Sequence, residues 1–127
     1  YLLYSEYTAA FLNEKILPLI KIDASHEHFY NYEAKYFSDE TKYICPSGLD
    51  PQVEERIQKR CFNACKLFAI RGWGRIDFFI DQNDEPVILE INTVPGMTTH
   101  SLVPMAASEV GIDFDQLCFD ILEMSAV

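Results

Sequence analysis

Four polar side chains, Arg75, Asp77, Glu90 and Asn92, interrupt the otherwise apolar stretch RIDFFIDQNDEPVILEIN over residues 75–92. Alternate residues of a strand share a face. Arg75, Asp77 and Phe79 therefore point one way, and Ile76, Phe78 and Ile80 the other. On a second strand Ile88, Glu90 and Asn92 share a face, opposite Val87, Leu89 and Ile91. A turn centred on Asn83-Asp84 sets Asp77 opposite Glu90 and Arg75 opposite Asn92, and a bulge in that turn would shift the register. Two carboxylates facing each other across about 5 Å repel by roughly 3 kcal/mol at an effective dielectric of about 20. A divalent cation reverses that sign. Two carboxylates and an amide oxygen make a hard-oxygen ligand set suited to Mg²⁺, which completes its octahedron with phosphate oxygens and water. Arg75 beside them suits an anion that arrives with the metal. Two plainer readings fit the same residues: a solvated sheet face, and an exposed Arg75–Asp77 ion pair of small energetic consequence.

The elements that carry these residues are legible in outline. Residues 4–12 read as a strand, LNEK as a turn, and 16–22 as a returning strand, which together form a hairpin. Residues 25–49 are polar and aromatic, with Tyr30, Tyr32, Tyr36 and Tyr43 at no clear period. They read as a long loop with short extended pieces, and loops of that length inside a compact domain tend to be functional. Asp50 before Pro51 is a helix start. Val53, Ile57, Cys61, Ala64, Cys65 and Phe68 follow at helical spacing, and Gly72 ends that segment. Strands over 75–81 and 86–92 come next, then the turn-rich TVPGMTTHS and a helix around 102–110. Asp113 caps a last helix with Phe114, Leu117, Cys118, Ile121 and Leu122 on one stripe. The class is α+β, with a largely antiparallel sheet flanked by helices.

Composition narrows the function. A chain of 127 residues, 49% hydrophobic and 24% charged, suffices for one domain with one core. A formal net charge of −10 argues against nucleic acid, because no basic stripe is present to displace counterions from phosphates. No apolar run is long enough for a membrane span, and a soluble protein is expected. Cys45, Cys61, Cys65 and Cys118 form no zinc pattern; Cys61 and Cys65 read as small buried residues on one helix face, and reduced thiols in a cytoplasm fit better than disulfides. His26 and His28 form a pair without an evident third ligand, and an exposed loop is the simpler reading. The chain enters strand-like sequence at once, without an initiator methionine, which suggests a piece of a longer protein.

GWGRIDFF over 72–79, followed by LEINTVPGMTTHSLVPMAA over 89–107, resembles the C-terminal part of the D-alanine–D-alanine ligase family of ATP-grasp enzymes. YNYEAKYFSDETKYICPSGL over 30–49 is similar to that family's mobile active-site loop. The resemblance covers nearly the whole chain. It implies an ATP-grasp C-terminal subdomain and a reaction in two steps. ATP phosphorylates one D-alanine carboxylate, and the amine of a second D-alanine then displaces the phosphate, as in peptidoglycan precursor synthesis.

The same resemblance implies roles residue by residue. Asp77, Glu90 and Asn92 are expected to hold two Mg²⁺ (or Mn²⁺) ions, with Glu90 bridging them. Arg75 and the Gly96 N–H are expected to stabilise the oxyanion, a contribution often worth about 3 kcal/mol per donor. Glycine at 96 permits close approach of the backbone to substrate. Ser101 and the Leu102 N–H open a helix whose terminus suits an anion, and the family places the second D-alanine carboxylate there; an ordinary cap is the other reading of Ser101. Lys35 resembles the lysine that contacts the transferred phosphate, Tyr36 its neighbour that closes over substrate, and Glu6 the acid that binds the ATP ribose. On residue type alone, a solvated loop end is the favoured reading of Lys35 and Tyr36, and a surface acid is the plain reading of Glu6.

The family's N-terminal and central domains have no counterpart in these residues, and no Gly-rich phosphate loop occurs. A fragment inactive by itself is expected, from an enzyme that resembles cytoplasmic, homodimeric relatives. Two alternatives remain: an ATP-grasp ligase with another amine or hydroxy acceptor, and a non-catalytic Mg²⁺-binding or interaction domain. Tyr36 in EAKYFSDE favours the dipeptide-forming type over depsipeptide-forming relatives.

Overall fold

The computed structural model describes residues 5–23 and 42–125. His26, His28, Lys35 and Tyr36 lie outside that range, as does most of the 25–49 loop. The chain order is β1 (Glu6–Leu12), β2 (Lys15–Ile16), β3 (Ile20–Asp23), β4 (Lys42–Ile44), α1 (Pro51–Leu67), β5 (Trp73–Ile80), β6 (Pro86–Asn92), α2 (Leu102–Glu109) and α3 (Phe114–Ser125). Strands run β4-β3-β1-β5-β6 across one sheet, with β2 paired to β1. Every pairing is antiparallel, as expected of the α+β class.

β1 is central, so both of its faces are buried. Tyr7, Ala9 and Phe11 join Ile76 and Phe78 of β5 beneath α1, which contributes Ile57, Cys61 and Cys65. Ala10 and Leu12 join Ile20 on the opposite face, where Val103, Ala106 and Ala107 of α2 and Leu117 of α3 cover them. The sheet therefore has a helix on each side. Gly74 is fixed by this packing: a Cβ there would strike the Phe11 ring and come within 2.7 Å of the Asn92 carbonyl oxygen.

The expected single strand over 16–22 is two strands. Phe11 pairs with Ile16, but Thr8 pairs with Ile20, so one extra residue lies in the returning segment. Pro18 sits in that break, where its missing N–H breaks no ladder bond. Side chains of α1 take over the displaced backbone groups. Gln58 Nε2 donates to the Leu17 carbonyl at 3.2 Å, and Glu54 Oε2 accepts from Leu19 N at 3.4 Å. Ser47, buried, donates to Glu54 Oε1 at 2.7 Å and so ties the chain after β4 to the same helix.

α1 begins as expected, with Asp50 Oδ1 accepting from Gln52 N at 2.9 Å and Pro51 in the first turn. Its end differs. The helix stops at Leu67 rather than near Gly72, because Ala69 adopts a left-handed φ of 54°. Ala69 N donates to Lys66 O at 3.1 Å, and Ile70 N to Cys65 O at 2.9 Å, closing a Schellman turn. Phe68, expected in the apolar stripe, is consequently 62% exposed. In α3 the Asp113 cap is present, accepting from Gln116 N at 2.8 Å. The inward stripe there is Leu117, Ile121 and Met124, while Leu122 is exposed.

All four cysteines are free, and Cys61 and Cys65 are buried as expected. Burial, then the neighbouring Cys65, pushes the Cys61 thiol up to about 12. Burial, then the charges of Glu109 and Glu54, pushes Cys45 up to about 11. Both therefore stay protonated near neutral pH and make poor nucleophiles. Among the described residues no helix is long and apolar enough to cross a membrane.

Candidate active site

The sheet face that α2 and α3 pack against also carries two cross-strand rows with the polar candidates. One runs Ala10, Arg75, Asn92 across β1, β5 and β6, and the next runs Thr8, Asp77, Glu90. The expected pairings of Asp77 with Glu90 and Arg75 with Asn92 are both present. The route to them is not the expected one. Phe78 pairs with Ile88 and Ile80 with Pro86, a register centred on Asn83 alone, and Leu89 is the extra residue that restores Asp77 to Glu90. Ile88 thereby shares the face of Phe78, not that of Glu90, which corrects the simple alternation expected for β6.

Asp77 is held on two sides. Its Oδ1 accepts from Arg75 Nε at 3.0 Å and from Thr8 Oγ1 at 2.7 Å, and its Oδ2 accepts from Arg75 Nη2 at 3.2 Å. The Arg75 and Asp77 side chains are 22% and 15% exposed, so the fully solvated ion pair considered from sequence is not what forms. Two of the five guanidinium N–H groups are used, which leaves three for another anion. Glu90 is exposed and has no hydrogen-bond or ion-pair partner among the described residues. Asn92 Oδ1 accepts from Val94 N at 3.0 Å and turns the chain out of β6.

That turn leads to α2. Ser101 Oγ does not cap the helix. It accepts instead from Thr98 N at 2.9 Å and lies 2.9 Å from Thr98 Oγ1. Ser101 thus stands at the N-cap position, with its carbonyl accepting from Met105 N at 3.2 Å, but its side chain makes no capping bond. The Leu102 and Val103 N–H groups at the helix start are left without a side-chain cap from Ser101, a geometry that favours an anion. Gly96 lies against the same loop, and a Cβ there would meet Ser101 Oγ at 3.3 Å. Gly96 and Ser101 thus meet in the loop before α2, which begins at Leu102. Glu6, half-buried at the start of β1 opposite Phe79, stands on the same face as Thr8.

The donor chemistry fits Mg²⁺. No three His, Cys, Asp or Glu side chains come together among the described residues. The set here is two carboxylates and an amide, which suits an ion that keeps water and phosphate ligands rather than a closed protein cage. A carboxylate has about four lone-pair sites; three on Asp77 are taken, which leaves one on Oδ2. Glu90 is open, and Asn92 Oδ1 keeps one lone pair. Thr8 was not foreseen, since its position becomes visible only once β1 is paired with β5.

Comparison with known proteins shows the family. The chain matches the family model described as D-ala D-ala ligase C-terminus over residues 3–123. It is 51% identical over 120 residues to a D-alanine–D-alanine ligase of Nitrosomonas europaea, covering 94% of this chain and 39% of that protein. It is 49% identical over 122 residues to one of Laribacter hongkongensis, covering 96% and 39%. Among solved structures, a D-alanine–D-alanine ligase from Bacillus anthracis superposes with a TM-score of 0.82 at 31% identity, covering 98% of this chain and 40% of that one. The chain thus spans about two fifths of the length of these relatives, and it belongs to the D-Ala–D-Ala ligase C-terminal family of ATP-grasp proteins.

Proposed function

We propose that this chain is the metal- and substrate-binding floor of an ATP-dependent ligase that joins two D-alanine molecules for peptidoglycan precursor synthesis. The whole enzyme is cytoplasmic and homodimeric in this reading. The observation that supports it is the pairing of Asp77 with Glu90 beside the pair Arg75 and Asn92.

Asp77, Glu90 and Asn92 would hold two Mg²⁺ (or Mn²⁺) ions, which would supply charge neutralisation at the ATP phosphates. Glu6 binds the ATP ribose, Lys35 contacts the transferred phosphate, and Tyr36 closes over the substrate. One D-alanine carboxylate oxygen bonds to the γ-phosphorus while the bond to ADP breaks, giving an acyl phosphate. The second D-alanine, its carboxylate at Ser101 and the Leu102 N–H, presents its amine to the acyl carbon. The oxygen that gains charge there meets the Gly96 N–H and the three N–H groups that Asp77 leaves free on Arg75. Phosphate departs, the amine loses its proton, and the dipeptide remains.

The test is phosphate release from ATP by this chain joined to the N-terminal portion of the N. europaea relative. Release that requires D-alanine and yields D-alanyl-D-alanine is expected, with none from the chain alone. Release that ignores D-alanine, or dipeptide formed by the chain alone, contradicts the proposal.

A further inference from the structure

Thr8 lies in β1 directly across from Asp77, is fully buried, and touches the Asp77 carboxylate. A hydroxyl has one proton to give. Thr8 Oγ1 is 2.7 Å from Asp77 Oδ1 and 3.2 Å from the Ile76 carbonyl oxygen. The shorter, charge-assisted bond to the carboxylate takes the proton. Oδ1 then has both lone pairs engaged, one by Thr8 and one by Arg75 Nε. Oδ2 accepts only from Arg75 Nη2 and keeps a single open site.

We propose that Thr8 is a positioning residue that makes Asp77 a one-oxygen metal ligand through Oδ2, and thereby favours small octahedral cations over Ca²⁺. The inference rests on the metal-site reading given above. Mg²⁺ and Mn²⁺ suit octahedral sites in which each carboxylate gives one oxygen. Ca²⁺ accepts six to eight oxygens and readily takes both from one carboxylate. Engaging Oδ1 withholds the second oxygen. The strand pairing makes the arrangement rigid, because Thr8 and Asp77 are direct cross-strand partners. Arg75 cannot do this alone: its Nε and Nη2 fork spreads over both oxygens and leaves each with one lone pair free.

The test uses this chain joined to the N-terminal portion of the N. europaea relative, with ADP present. Mn²⁺ binding is followed by electron paramagnetic resonance, and Ca²⁺ by its displacement of Mn²⁺. Thr8→Val keeps the shape and removes the hydroxyl. It is expected to weaken Mn²⁺ binding by roughly 10- to 100-fold, as loss of an outer-shell partner does, and to narrow the preference for Mn²⁺ over Ca²⁺. Thr8→Ser, which keeps the hydroxyl, is expected to restore both to within a few-fold. A merely structural Thr8 would lower the melting temperature without altering the Mn²⁺ to Ca²⁺ ratio. If the valine variant does not fold, Thr8→Cys, small but a poor donor, carries the same expectation. A folded valine or cysteine variant with unchanged Mn²⁺ affinity and unchanged ratio overturns the role of Thr8. A parent protein that binds no Mn²⁺ overturns the metal-site reading, and the role of Thr8 with it.

Discussion

Asp77 faces Glu90 because Leu89, the residue before Glu90, stands outside the β5–β6 ladder. With no bulge, the register set by Phe78 and Ile88 would place Glu90 opposite Ile76, on the face packed beneath α1. A charged carboxylate there would be strongly unfavourable. The bulge thus puts the second acid on the polar face. Leu89 is 51% exposed, whereas Ile91 packs on the core. Leu89→Gln in this chain should therefore cost no more than about 0.5 kcal/mol in urea unfolding. Plain alternation would put Leu89 beside Ile91, and a cost of about 2 kcal/mol or more would support that arrangement instead.

Glu90→Gln should remove activity without harming the fold. It deletes one of two facing charges, so repulsion on the metal-free sheet falls, and the melting temperature without metal should hold or rise. In the completed enzyme turnover should drop on the order of 100-fold or more, since a ligand of the proposed ions is weakened. Retained activity together with a clearly lower melting temperature would make Glu90 a structural residue.

Much of this was legible because the signals are local. The Asp50–Pro51 helix start, the Asp113 cap and the alternating face of β5 each depend on residues close in sequence. The break at Pro18 and the bulge at Leu89 were not, because each is settled by pairing with another strand rather than by its own residue types. The early stop of α1 is a similar case: Ala69 takes a left-handed conformation usually left to glycine, so the visible Gly72 misplaced the helix end. Thr8 is the clearest miss. Its residue type gives no sign of a link to Asp77, and only the bond that spans their 69-residue separation gives it meaning.

Arg75→Lys keeps the charge and should still fail. Arg75 grips Asp77 through Nε and Nη2 and keeps three donors for the proposed oxyanion, and a single ammonium cannot do both. The loss should appear mainly in kcat, by roughly 100-fold, because the proposed oxyanion contact would strengthen only as charge develops. Steady-state kinetics of the completed enzyme separate the cases. A near-normal kcat with a raised KM would mean that Arg75 serves binding alone.

Where the metal sits decides whether this polar face is an active site. Crystals of the completed enzyme grown with ADP and Mn²⁺ allow the ion to be located by anomalous scattering. The expected result is a peak bounded by Asp77 Oδ2, Glu90 and Asn92 Oδ1. A Mn²⁺ peak elsewhere, with Asp77 still closed on Arg75 and Glu90 free in solvent, would contradict the assignment.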